Sequence, residues 1–215
     1  MSDGKAVMQT IHDAFGENIY PGDNYIQGSF EGCEPSDEVG PFQGQADWTK
    51  IEADFLDAHA GALNFFSEAG FRFFIPAFLI ADVEGRLKVA DPLFFLTHGF
   101  SEVSVEAPVG NRIFTLRTGR SQFINPRRYG ATTFYDYARY RLSVFTREEA
   151  KAIVAYLRYR QEADPAAPER MAIESALDGY WLERTKAAPP AQSLTQYLTQ
   201  QAEYLAAIMD GKKNP

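Results

Sequence analysis

The residues best suited to chemistry lie in, and just after, an acidic and irregular stretch near the N-terminus. Between Lys5 and Lys50 the chain has no lysine or arginine, whereas carboxylates recur throughout. An acidic loop of this kind speeds encounter with a basic partner, and loops longer than about 12–15 residues in compact domains are usually functional or disordered. We therefore place the candidate binding site here. Its residues are Asp23, Glu34, Glu38, Trp48 and Arg72.

Familiar catalytic and cofactor motifs do not occur in the sequence. It has no Gly-x-x-x-x-Gly-Lys loop, no Gly-x-Gly-x-x-Gly and no Gly-x-Ser-x-Gly elbow. The histidines His12, His59 and His98 are far apart, and none has a second ligand at helical spacing. The carboxylates around Glu34 also lack the Asp-x-Asp-x-Asp-Gly spacing of a calcium loop. We expect no metal and no cofactor. If the protein is an enzyme, the sequence does not identify its catalytic residues.

Charge is unevenly distributed along the chain. The formal net charge is −8 and the pI is about 5.0, which disfavours nucleic-acid binding because domains that bind it are usually basic. Residues 112–141 reverse this balance, since they contain several arginines and only one acidic residue, Asp136, with aromatic residues between the arginines. That mixture could grip phosphate or stack on bases. Alternatively, these arginines pair with the acidic stretch inside the fold, and the matching supply of opposite charges favours this second reading.

The most apolar stretch, residues 62–83, predicts the buried central helix. A helix that is apolar on all sides is normally buried, and the uninterrupted apolar run is too short for the ~20 residues of a membrane span. Ser67 is the expected N-cap. Pro76 should kink or break the helix near Ile75, because proline lacks the backbone donor. Arg72 is interpreted either as an arginine whose head reaches solvent or as a buried arginine that needs a carboxylate partner.

The remaining pattern predicts a mainly α, compact domain of about seven helices with room for one small β-hairpin. The domain should span residues 1–186, and residues 187–215 should form a linker and a C-terminal helix packed on it or on a partner. Thr146 and Glu149 form a capping box. The other expected helices are 3–15, 55–66 capped by Asp54, 91–96, 132–142, 146–162, 168–184 and 193–209, and the expected hairpin strands are 102–107 and 112–117.

Several segments together resemble a family of uncharacterised bacterial proteins, a domain of unknown function. The first is the Tyr20-Pro-Gly-Asp23 turn, whose Pro and Gly predict type II geometry. The others are Cys33-Glu34 with Glu38, Phe42-x-Gly44 with Trp48, Leu63-x-Phe-Phe-Ser67 leading into the Pro-Ala-Phe-Leu helix at 71–78, and Phe145-Thr-x-Glu-Glu149 with Ile153 and Leu157. The likeness covers about residues 15–80 and 140–182. It implies a recurring fold, and it carries over no reaction, ligand or catalytic residue.

Three functional hypotheses follow from the residues. The first is a cytoplasmic, bacterial protein-binding module, resembling an immunity or adaptor protein, whose acidic loop binds a basic protein. The second is an enzyme with an unrecognised site around the five candidate residues. The third is an anion or nucleic-acid binder that uses residues 112–141. The lone Cys33 favours a reducing compartment, and we expect no membrane association. The sequence leaves the oligomeric state open.

Overall fold

Helices dominate the architecture, as the sequence predicts. The computed structural model describes residues 3–30, 32–100, 104–109, 112–117, 134–163, 167–188, 198–200, 203–204, 207 and 211. The α-helices are α1 (Gly4–Phe15), α2 (Glu34–Val39), α3 (Ala53–Ala58), α4 (Ala62–Phe65), α5 (Glu68–Val83), α6 (Pro92–Thr97), α7 (Phe134–Arg141), α8 (Arg147–Ala163) and α9 (Arg170–Ala176). Helix α9 runs on through a π-helical turn (Leu177–Trp181) into a last turn (Leu182–Arg184).

Side-chain caps start several of these helices where the sequence predicts. Ser67 Oγ accepts a hydrogen bond from the amide of Gly70 at 2.9 Å, and Asp91 Oδ1 accepts one from the amide of Phe94 at 3.1 Å. These bonds satisfy amides that have no partner within the first turn of a helix. Local sequence therefore fixes where α5 and α6 begin.

The expected helix 55–66 is wrong, because the chain forms two shorter helices there. Helix α3 begins at Ala53, so Asp54 lies in its first turn and does not cap it. His59 ends α3, and α4 follows after Gly61. A Cβ at position 61 would lie 2.7 Å from the carboxyl carbon of Glu38. This close approach lets α4 pack on α2. Because two helices replace one expected helix, the described residues contain more helices than the seven predicted.

Helix α5 is the centre of the fold and is continuous from Glu68 to Val83. Of the two expected effects of Pro76, the break is therefore wrong, and the kink stays a prediction. Helix α5 packs against α1, α3 and α6, and α1 packs in turn against α8. Phe74 and Phe78 are completely buried, which confirms that this helix is the core. Phe42 lies against both rings, at centroid distances of 4.9 and 6.4 Å.

The acidic stretch is more regular than its sequence indicates. From its apolar residues we expected an ordered loop without regular elements over residues 24–47. The chain instead contains α2 and 3₁₀ turns at Asp23–Tyr25 and Gly40–Phe42, with another at Trp48–Lys50. Ile26, Phe42 and Trp48 are buried, so apolar anchors hold the stretch on the core. Single-turn helices lack enough sequence to show a 3.6-residue period, which is why the pattern missed them.

A two-stranded antiparallel hairpin links α6 to the second half of the chain. Strand β1 (Ser104–Val109) pairs with β2 (Arg112–Arg117), and Val109 lies opposite Arg112. The first strand runs two residues further than expected. In the predicted C-terminal helix 193–209, residues 198–200, 203, 204 and 207 are helical and the remainder lies outside the described residues. Leu198 packs against the core. The proposed division at residue 187 stays a prediction.

Within the described residues, no helix has both the length and the apolar character needed to cross a membrane. Helix α5 comes nearest in composition, but it has only 16 residues. That is shorter than the roughly 20 apolar residues of a typical transmembrane helix.

Truncating the core of α5 should be strongly destabilising. We expect Phe74→Ala and Phe78→Ala each to lower the free energy of unfolding by about 3–5 kcal/mol, since large buried side chains leave cavities. Urea unfolding followed by circular dichroism measures the change. Phe94→Ala is the matched control, because Phe94 is 46% exposed. Equal losses for the control and the core variants would contradict the assignment of the core.

Candidate functional site

The carboxylates of α2 occupy one side of a short helix. Glu34, Asp37 and Glu38 are spaced i, i+3 and i+4, which places them on neighbouring positions of the helix surface. Glu34 and Asp37 are exposed, whereas Pro35 and Val39 are buried and attach α2 to the core. The helix therefore presents two carboxylates to solvent.

Glu38 differs from its neighbours on α2 because it turns toward the protein. It is half-buried, and its Oε2 atom has no hydrogen-bond partner among the described residues. Gly61 gives it space at the start of α4. The structure thus separates Glu38 from the outward-facing Glu34, although the sequence grouped them.

Asp23 closes the acidic stretch on itself. Its Oδ1 atom accepts hydrogen bonds from the Tyr20 hydroxyl at 2.6 Å and from the Gly44 amide at 2.8 Å. These two donors, the Tyr20 hydroxyl first, hold the pKa of the Asp23 carboxyl below its usual range. Burial, aided by the neighbouring Asp23, raises the pKa of Tyr20. Asp23 acts as a clasp that joins the two ends of the segment.

The expected type II turn at residues 20–23 is wrong in its geometry. Gly22 has the positive φ that such a turn needs, at 97°, but its ψ is 150°, whereas the turn requires a value near 0°. The backbone is extended there because the Tyr20 hydroxyl reaches over to Asp23, whose own 3₁₀ turn begins at this point. Glycine is still required, since other residues rarely adopt this φ.

Trp48 supports the end of α1. Its side chain is buried, its Nε1 donates to the Phe15 carbonyl at 3.3 Å, and its ring stacks on His12 at 5.2 Å. Phe15 is the last residue of α1, so its carbonyl has no acceptor role within the helix. It accepts from the Asn18 backbone amide at 3.0 Å, and the indole supplies a second donor.

Arg72 forms a buried ion pair with Glu149, at the start of α8. Its Nε donates to Glu149 Oε1 and Oε2 at 3.0 and 2.9 Å, and its Nη2 lies 2.9 Å from Oε1. The Glu149 side chain is 0% exposed and that of Arg72 is 19% exposed. The reading of Arg72 as a buried arginine with a carboxylate partner is the correct one, and its partner comes from the capping box. The sequence marked Glu149 only as a cap.

Glu149 serves both the ion pair and the cap of α8. Its Oε2 atom accepts from the Thr146 amide at 2.7 Å, while Thr146 Oγ1 accepts from the Glu149 amide at 3.3 Å. This reciprocal arrangement is a capping box. The carboxylate therefore has enough donors around it to compensate for its complete removal from water.

Asn18 explains how α5 tolerates Pro76. Proline has no amide hydrogen, so the carbonyl of Arg72, four residues earlier, loses its partner within the helix. The Asn18 side-chain amide donates to that carbonyl at 3.5 Å. Its Oδ1 atom also accepts from Arg72 Nη2 at 3.1 Å. One amide side chain thus serves both the backbone and the guanidinium of Arg72.

The five candidate residues do not meet in one cluster. Asp23, Trp48 and Arg72 each contact different partners, and no hydrogen bond or ion pair among the described residues joins any two of the five. Glu34 and Glu38 are one helical turn apart on α2. Of the five, only Glu34 and Asp23 are exposed, and the Oδ1 atom of Asp23 is already hydrogen-bonded.

The described side chains of the basic segment include one buried and one exposed arginine. Arg141 is buried, with its guanidinium 4.3 Å above the Phe71 ring, and its Nη2 donates to the Leu63 carbonyl. Arg139 lies 5.4 Å from the Tyr135 ring. Within the described residues, neither arginine pairs with a carboxylate of residues 13–47, so the expected internal pairing is not seen there. The side chains of Arg112, Arg117, Arg120, Arg127 and Arg128 lie outside the described residues.

A second polar cluster, which the sequence did not indicate, lies where α9 continues as a π-helix. The Tyr180 hydroxyl and Arg184 Nε are buried without a hydrogen-bond partner in the described part of the chain. Burial raises the pKa of Tyr180 to about 12, although Arg184 and Arg139 oppose the rise. Burial likewise lowers the pKa of Arg184. In the sequence, a tyrosine and an arginine four residues apart do not form a recognisable motif, so the pattern gave no sign of this cluster.

No group of three histidine, cysteine, aspartate or glutamate side chains is placed to hold a metal ion in the part of the chain that the structure describes. Comparison of the chain with protein-family models, with curated proteins and with solved structures finds no match. This result agrees with a resemblance to an uncharacterised family of unknown function.

Removing the charge of Glu149 while keeping its cap should test the ion pair. Glutamine can still accept from the Thr146 amide, so Glu149→Gln isolates the loss of pairing with Arg72. We expect a loss of about 3 kcal/mol in the free energy of unfolding, at the lower end for a broken buried pair. Urea unfolding measures it.

Two further variants make this test specific. Arg72→Met combined with Glu149→Gln should cost less than the sum of the single changes, because neither charge is then left alone. Glu148→Gln removes an exposed carboxylate paired with Lys151 and should cost less than about 1 kcal/mol. Additive single effects would show that the pair contributes no coupling.

The Tyr20–Asp23 clasp should be visible in a carboxyl titration. Tyr20→Phe removes the donor that most lowers the pKa of Asp23, so that pKa should rise toward its usual value of 3.8. NMR of the aspartate carboxyl carbons measures it, and Tyr25→Phe is the control that leaves both donors in place.

The sign of the accompanying pH effect is fixed by the direction of this shift. Because the folded-state pKa of Asp23 is lowered, the ionised clasp contributes stability above the unfolded pKa and loses it as the pH falls through the folded value. Tyr20→Phe should therefore weaken acid dependence of the thermal midpoint below pH 4. An unchanged Asp23 titration in this variant would rule out the clasp.

Proposed function

We propose that the protein is a cytoplasmic protein-binding module whose acidic face binds a basic protein. The acidic face is formed by Glu34 and Asp37 on α2, and Asp13 and Glu17, at the end of α1 and beyond, add negative charge to the same N-terminal part of the chain. All four side chains are exposed. The acidic N-terminal part of the chain and the lack of familiar catalytic motifs in the sequence support an immunity- or adaptor-like role, and the resemblance to a bacterial family supports a bacterial origin.

The supporting observation is the lack of positive charge beside these carboxylates. The chain has no lysine or arginine between Lys5 and Lys50, and none of the four carboxylates forms an ion pair with another described residue. Exposed carboxylates without counter-charges repel one another. A basic partner is therefore attracted to them, and no ion pair within the protein has to break when it binds.

The enzyme hypothesis has weaker support from the geometry. Arg72 and Trp48 already make contacts that stabilise the fold, with Glu149 and with the end of α1. A catalytic group must reach a substrate in a productive geometry, and Asp23 is held between Tyr20 and Gly44. The acidic face therefore remains the better-supported proposal.

Charge reversal on α2 should weaken binding while preserving the fold. We choose Glu34→Lys with Asp37→Lys, because both side chains are exposed, and we avoid the half-buried Glu38. Cross-linking with a zero-length carboxyl–amine reagent in the native host, followed by mass spectrometry, identifies the partner. Stopped-flow association with that partner should then show a slower on-rate for the variant, and the difference should shrink with salt because the Debye length falls to about 8 Å at 0.15 M.

The control has the same charge change elsewhere. Glu169→Lys with Asp178→Lys alters two exposed carboxylates at the other end of the chain and should leave the on-rate within about twofold, since distant exposed charges are screened. The thermal midpoint should barely move in either variant. Equal on-rates for wild type and the α2 variant, or a partner without a basic surface, would overturn the proposal.

A further inference from the structure

The strongest feature outside the acidic face is the polar cluster of Tyr180 and Arg184. Tyr180 is 8% exposed, yet its hydroxyl has no hydrogen-bond partner among the described residues, and the same holds for the buried Nε of Arg184. Buried polar atoms in folded proteins nearly always have partners. Two of them on adjacent turns of one helix are hydrogen-bonding groups that the described part of the chain leaves unsatisfied.

Arg184 is fixed in position by the chain that precedes α8. Its Nη2 donates to the carbonyls of Ser143 and Phe145, the latter at 2.8 Å. No carboxylate forms an ion pair with Arg184 among the described residues. The guanidinium is thus held by backbone carbonyls on one side, while its Nε remains available as a donor.

Arg139 adds a second positive charge from α7. Its guanidinium lies over the Tyr135 ring at 5.4 Å, Tyr135 contacts Phe100 at 5.8 Å, and Phe100 stacks on Tyr180 at 5.3 Å. This row of rings links Arg139 to the Tyr180 side of the cluster. Arg139 and Arg184 are also near enough to Tyr180 to counteract the rise in its pKa that burial causes.

The backbone at this point has a form that often accompanies binding sites. Tyr180 lies in the π-helical turn Leu177–Trp181. Such turns are rare and occur frequently at functional sites, because the extra residue displaces side chains from regular helical positions. The turn therefore supports a functional role for Tyr180 independently of the charges around it.

We propose that Tyr180, Arg184 and Arg139 form a binding site for a phosphate-type oxyanion. Arg184 Nε and the Arg139 guanidinium can only donate hydrogen bonds, and the Tyr180 hydroxyl can donate as well. The group that completes the cluster must then accept several hydrogen bonds and carry negative charge. A tetrahedral oxyanion has a separate oxygen for each of the three donors, and hydrogen bonds between charged groups are the strong ones.

Isothermal titration of the full chain with inorganic phosphate tests the site, at constant ionic strength maintained with sodium chloride. Saturable binding with one site per chain is the expected result. Parallel titrations with phenyl phosphate and acetate separate a free ion, a phosphate ester and a carboxylate. Phosphate or its ester should bind more tightly than acetate, and acetate binding as tightly as phosphate would overturn the tetrahedral assignment.

Variants locate the binding on these residues. Tyr180→Phe keeps the ring stack but removes the hydroxyl, and Arg139→Gln changes an exposed residue. Each should weaken phosphate binding about tenfold, the factor expected from losing one charge-assisted hydrogen bond. Arg158→Gln, another exposed arginine, makes the same change of charge as Arg139→Gln and should alter the dissociation constant by less than about twofold.

Several outcomes would overturn the proposal. One is the absence of saturable phosphate binding by a protein whose circular dichroism shows it to be folded. Another is an equal loss of binding in Arg139→Gln and Arg158→Gln, which would indicate a general charge effect. A third is a Tyr180→Phe protein with unchanged phosphate affinity, because the hydroxyl would then not contact the anion. None of these outcomes bears on the acidic face, whose test uses different residues.

Discussion

The Arg72–Glu149 ion pair is the interaction on which the two halves of the fold depend. It joins the central helix α5 to the start of α8, with three close contacts between the guanidinium and the carboxylate. Removing both charges from water costs several kcal/mol per ion, so the pair is useful only where all its hydrogen-bonding groups are satisfied. Thr146 and Asn18 supply the remaining partners. Position 72 thus determines how α5, α8 and the segment after α1 fit together.

This network also explains why a proline is tolerated inside the most buried helix. Pro76 frees the Arg72 carbonyl, and Asn18 reaches it from outside α5. A broken hydrogen bond in the core would otherwise leave a buried polar group unsatisfied, which costs roughly 1–3 kcal/mol. The same asparagine contacts the Arg72 side chain, so the repair of the backbone and the support of the ion pair are one arrangement.

Sequence reasoning predicted the parts of this structure that local patterns control. The apolar run identified the core helix, and the caps at Ser67, Asp91 and Thr146 marked where helices begin. It missed contacts made by residues far apart in the chain. Asn18 and Glu149 are separated from Arg72 by 54 and 77 residues, and no local pattern connects them. It also missed the π-helical turn, because a bulge in a helix hardly alters the apolar period. The candidate site was predicted from the charge and the length of the loop. The sequence therefore identified an acidic segment without showing that Glu38 turns inward and that Asp23 is bonded within it.

The double role of Glu149 has a consequence for the order of folding. Its capping bonds with Thr146 span three residues and can form as soon as α8 nucleates. Its bonds with Arg72 must close a loop of 77 residues, and the entropy lost on loop closure rises with length. We infer that the Glu149 carboxylate is solvated when the first turn of α8 forms, and that it loses its water later, when Arg72 of α5 reaches it. Non-local contacts of this kind slow folding. Formation of the Arg72–Glu149 ion pair is therefore a late step in folding, and a chain that places another residue opposite Glu149 would leave a buried carboxylate without a counter-charge.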